Sequence, residues 1–128
     1  MTEQTVQDVM REALRLSTRL EAVTDETYRV ARKLADATYE HEQATAVAWE
    51  TVRHELSDVP PPNGKWLLRD YEAEVTKRTK ATGKTVGALK SEAHALDSAS
   101  RNLRSQLSAA QSVAAALREE MRLAGGPS

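Results

Sequence analysis

Lys65, Arg69, Lys77, Arg78, Lys80, Lys84, Lys90, Arg101 and Arg104 are the residues whose type and spacing point most directly to chemistry. Cations set along one stretch suit a polyanion, because phosphate binding sums several weak contacts and counterion release makes their effects add. Trp66, next to Lys65, supplies a ring on which an unpaired base could stack. Residues 59–104 hold nine basic and five acidic side chains, against seven and twelve in 1–58 and two of each in 105–128. The net charge of −1 conceals this asymmetry. On charge alone two readings stay open: the basic stretch meets a nucleic acid, or it is a solvated face that pairs with the acidic half.

The remaining motifs fall short of a catalytic signature. Gly83-Lys84-Thr85 resembles the end of a phosphate-binding loop, but Arg78 stands where that loop needs its first glycine and no apolar strand precedes it. His41-Glu42 and His54-Glu55 each begin a zinc-protease pattern, and the second histidine is replaced by Thr45 and Asp58. Serines are frequent from Ser91 to Ser112, yet only His94 is near them and no glycine elbow presents one at a turn. The sequence therefore predicts neither an enzyme nor a metal or cofactor site.

What must position these residues is helix. Val86, Leu89, Ala93, Leu96, Ser100, Leu103, Leu107, Ala110, Ala114, Leu117, Met121 and Ala124 recur at alternating steps of three and four. That heptad seam specifies a long helix that buries one narrow face against another. A second seam runs through Val6, Val9, Ala13, Leu16, Leu20, Val23, Thr27, Val30, Leu34, Ala37, His41, Ala44 and Ala48. A single polar residue such as His41 on a seam sets register. Thr24 could cap a new helix, but the heptad phase passes straight through it, which favours one continuous element. Trp49 reads as a packing anchor, and Tyr28, Tyr39 and Tyr71 as flanks of the seams.

Pro60, Pro61 and Pro62, followed by Asn63-Gly64, end the first helix and mark a turn. Gly83 and Gly87 weaken the second arm by about 1 kcal/mol each relative to alanine, so a joint is expected there, with Thr85 as a cap. Gly125-Gly126-Pro127 reads as a helix stop. The predicted architecture is all-α: a single domain, 1–128, forming a long antiparallel helical hairpin or coiled coil that assembles into a homo-oligomeric bundle. Its arms are 5–57 and 65–124, with a tip at 58–64, a joint near 82–87 and a tail at 125–128. Leu89, Leu96, Leu103, Leu107, Leu117 and Met121 are the expected oligomer seam.

Composition agrees with a thin core completed by partner subunits. The chain has no Phe, 4% aromatic residues and a large share of Ala among its 40% apolar residues. No cysteine is available for a disulfide, and no long apolar run or leader pattern is visible, so a soluble cytoplasmic protein is expected, with no membrane partner.

Leu103-Arg104-Ser105-Gln106-Leu107, Ala110-Gln111-Ser112 and Leu117 to Gly125 look like the tail of small helical proteins from phage recombination regions. With Leu34 to Glu40 and the proline-rich tip, the chain resembles the phage recombination mediators typified by UvsY. That resemblance implies a closed homo-oligomer on single-stranded DNA that helps a RecA-type recombinase displace single-strand-binding protein, in a host cytoplasm. It implies no catalysis and no cofactor. The family's basic-aromatic motif has no match between Trp49 and Leu56, where Arg53 is the one permanent cation. The DNA-contact residues are therefore read from charge clustering. A structural coiled-coil protein, phage scaffold-type or a secreted hairpin, is the alternative, with no nucleic-acid role.

Overall fold

The computed structural model describes residues 5–61 and 64–125. It is all-helical, with no strand among the described residues: α1 is Val6–Ser57, α2 Leu68–Arg78 and α3 Lys80–Ala124. No helix is long and apolar enough to cross a membrane. The expected tail beyond Gly125, and Pro62 and Asn63 of the tip, lie outside the described residues.

α1 starts with a reciprocal cap. The Thr5 hydroxyl accepts from the Asp8 N–H at 3.1 Å, and the Asp8 carboxylate accepts from the Thr5 N–H at 3.3 Å. Two donors that the first turn leaves without partners are thereby satisfied. The hydrogen bonds from Thr5, and to a lesser extent nearby Arg11, hold the Asp8 carboxyl below its ordinary range. α1 passes through Thr24 without interruption: the hydroxyl donates to the Leu20 carbonyl at 2.8 Å, as a mid-helix threonine does.

The tip is closed by its own side chains. Trp66 Nε1 donates to the Val59 carbonyl at 3.1 Å, and Gly64 takes a φ of +93°, a value side chains rarely tolerate. The Asp70 carboxylate then accepts from the Leu67 N–H at 2.9 Å and caps the start of α2 from its third position.

The break in the second arm differs in place from the expected joint at 82–87. It falls at Thr79, between α2 and α3, while Gly83 and Gly87 lie inside continuous helix. The Thr79 N–H and hydroxyl both donate to the Val75 carbonyl, at 3.0 and 2.9 Å. Thr24 and Thr45 make the same bond inside unbroken helix, so what sets Thr79 apart is its backbone, which leaves the helical region at φ −103° and ψ 13° as the C-cap of α2. Thr85 is not a cap; its hydroxyl donates back to Ala81.

The chain divides into two compact units, 1–28 with 94–128, and Arg29–Ala93. In the first, Val9 and Leu16 of α1 and Leu103 and Ala114 of α3 are buried. In the second, Ala48 and Val52 of α1 pack with Val75 of α2, and Trp49, Leu56 and Tyr71 close over them. Val52 is wholly inaccessible to solvent. The Trp49 and Tyr71 rings stack with centroids 6.4 Å apart, and the Arg53 guanidinium lies 5.4 Å from the centre of the Trp49 ring. Tyr28 and Tyr39 are exposed.

All thirteen positions of the first seam, and Val86 to Leu117 of the second, are buried or half-buried. Of the expected oligomer seam, Leu89, Leu96, Leu107 and Leu117 are half-buried and Leu103 is buried within a single chain; Met121 is 65% exposed. The heptad stripe is thus taken up largely by contacts within the subunit.

Candidate nucleic-acid interface

In the unit Arg29–Ala93, α1, α2 and the first turns of α3 enclose a groove of about 600 Å³. Lys80 and Lys84, one helical turn apart on α3, line it, facing His41 and Trp49 of α1 and Glu72 and Thr76 of α2. The break at Thr79 starts α3 just before Lys80. Residues four apart on a helix share a face, so both lysines border the same space. Among the described residues neither lysine has an ion-pair partner.

His41 is fixed by a cross-helix bond: Nδ1 lies 2.8 Å from the Thr82 hydroxyl. The same hydroxyl lies 3.0 Å from the Thr79 carbonyl, to which it can donate. The ring packs beside Gly83, where a side-chain carbon would meet His41 Cε1 at an ordinary contact distance of 3.5 Å. The polar seam residue therefore does pin two helices together.

The other basic residues are distributed differently. Arg78 reaches Glu55 of α1 and, at 3.1 Å, Glu74 of its own helix. Donating to these carboxylates, to Glu55 above all, raises the guanidinium above its ordinary range, and the bond from Arg78 holds Glu55 below its own. Lys65 and Arg69 flank the tip; Lys77 and Lys90 are exposed on α2 and α3, and none of these four has an ion-pair partner among the described residues. Trp66 is half-buried, with its N–H bonded to Val59. Arg101, paired with Asp97 at 3.0 Å, and Arg104 belong to the other unit.

Of ten residues expected to touch DNA, the groove brings together Lys80 and Lys84. His41, Trp49, Glu72 and Thr76 join them. Their signal in the sequence was slight, because groove membership depends on how three helices meet and not on spacing along any one. Among the described residues no group of three or more His, Asp or Glu side chains could hold a metal ion. No protein-family model, curated protein or solved structure matches the chain.

Proposed function

We propose that this chain is a non-enzymatic single-stranded DNA-binding protein that acts as a homo-oligomer. The observation that carries the reading is the pair Lys80 and Lys84, without ion-pair partners, bordering one groove with the Trp49 ring. Val75 to Ser91 adds Lys77 and Lys90 and contains no carboxylate, so further positive charge lies along the same stretch. A role in loading a RecA-type recombinase against single-strand-binding protein rests on the resemblance to phage recombination mediators.

Association of several copies is supported by apolar surface: Met10, Leu14, Met121 and Leu123 are large side chains left exposed. Assembly would also bring weak basic grooves from several subunits to one strand, where multivalency raises affinity.

The test is fluorescence anisotropy of a labelled oligothymidine. Binding should weaken steeply with salt, and Lys80→Glu with Lys84→Glu should abolish it while helicity persists. Arg78 is left out of the variant because its ion pairs are internal. Flat anisotropy at micromolar protein and low salt would end the proposal.

A second reading, a structural helical protein, is favoured by the internal use of Arg15, Arg78, Arg101 and Arg122 in ion pairs. In that case the double reversal leaves partner binding intact.

A further inference from the structure

We propose that one face of α1 in the unit Arg29–Ala93, carrying Asp36, Tyr39, Glu40 and Val47, docks on the Lys80–Lys84 groove of a second copy of this chain and masks it. The docking contact stands apart from the DNA-binding reading. The masking rests on that reading, since the same groove would take the strand.

The face follows from helix geometry. At about 100° per residue, His41, Thr45 and Trp49 run down the groove side of α1, and Asp36, Tyr39, Glu40, Gln43, Val47 and Glu50 run down the opposite side. All six are exposed. Tyr39 and Val47 leave 63% and 61% of their surface open, with carboxylates at both ends of the stripe. Apolar side chains inside a polar rim are the make-up of a protein contact.

Charge names the occupant. Leu34 to Val52 carries four carboxylates and neither Lys nor Arg, while Val75 to Ser91 carries five cations and no carboxylate. The two stretches pack together through Val52 with Val75 and His41 with Thr82. Among the described residues, Asp36, Glu40, Glu50, Lys80 and Lys84 nevertheless have no ion-pair partner. The reason is direction: these carboxylates lie on the side of α1 turned away from the groove, so a chain does not bring its own acidic face to its own lysines. A second copy can. Lys80 and Lys84 are one turn apart, as are Asp36 and Glu40, so the two pairs match in spacing at about 5–6 Å. Glu72 is the carboxylate that lines the groove, and the two lysines leave it net positive. The half-buried Trp49 ring supplies apolar surface for the centre of the docked face.

Docking occupies the lysines that a strand would use, so the second copy and the nucleic acid compete. The paired charges are exposed, and salt therefore weakens the contact.

Sedimentation velocity of the full chain at about 0.05 and 0.5 M salt reads the contact. Association should weaken about tenfold over that range, the size of two exposed ion pairs. Asp36→Lys with Glu40→Lys should weaken it equally at low salt, and so should Lys80→Glu with Lys84→Glu, with circular dichroism unchanged in both. Mixing these two variants should restore association, because each retains the surface the other has lost. Glu21→Lys with Asp25→Lys, also one turn apart on α1 but in the other unit, should associate as the wild type does.

Masking is read by oligothymidine binding at a concentration where roughly two-thirds of the grooves are docked. There Asp36→Asn with Glu40→Gln should bind about threefold more tightly than Glu21→Gln with Asp25→Asn, which has the same net charge and a masked groove. A mixture that fails to associate, or a Glu21 and Asp25 reversal that weakens association as much, would overturn the docking contact. Equal oligothymidine affinity in the two neutralised variants would overturn the masking. Association of the mixture with no oligothymidine binding in any variant would sustain the docking and remove the DNA reading.

Discussion

Arg78 reaches Glu55 on α1 and Glu74 on α2, so its charge is used within the chain and little of it is left for a phosphate. The consequence is testable by acid. The Glu55 carboxyl is held below its ordinary range by its bond to Arg78, so its contribution is present at neutral pH and is lost as pH falls through the lowered folded-state value. Thermal melts of the wild type should show this loss under acid, and Glu55→Gln should remove that portion of the pH dependence. Val52 makes a contrasting case: with its side chain wholly buried between α1 and α2, Val52→Ala should destabilise by about 2 kcal/mol in urea unfolding.

At the scale of elements, the ends of the helices follow from side chains that satisfy backbone groups. Thr5→Ala removes one half of the α1 cap and should cost about 1 kcal/mol, read as faster amide exchange over the first turn of α1. Gly87 lies inside α3 with open space where a side-chain carbon would be. Gly87→Ala should therefore raise stability by roughly 0.5–1 kcal/mol in a denaturant titration, by reducing the freedom of the unfolded chain. If Gly87→Ala lowers stability instead, the continuity of α3 through 82–87 is in error.

For the whole molecule, the surface left exposed is the feature with the widest consequence. Met10, Leu14, Met121 and Leu123 are among its large exposed apolar side chains, Leu14 to 68%. Sedimentation velocity should show the chain associating in the micromolar range, and Leu14→Glu with Met121→Glu should shift it toward the monomer while circular dichroism is unchanged. A monomer at every concentration would remove the multivalent part of the proposed function.

Periodicity by itself determined that the chain is all-helical and which stripe of each helix is covered, because a step of three and four residues puts apolar side chains on one face of any α-helix. It also located the helix end before the prolines, since Pro60, Pro61 and Pro62 lack the donors a helix requires. The break was less legible: the glycines marked intrinsic weakness, but the chain leaves helical geometry at Thr79, where no turn residue stands in the sequence. Which cations share a groove, that Arg78 is held by two carboxylates, and that His41 meets Thr82 were settled only by tertiary structure. The Arg78–Glu55 and His41–Thr82 pairs join residues 23 and 41 positions apart on different helices, and the packing of one helix on another fixes them.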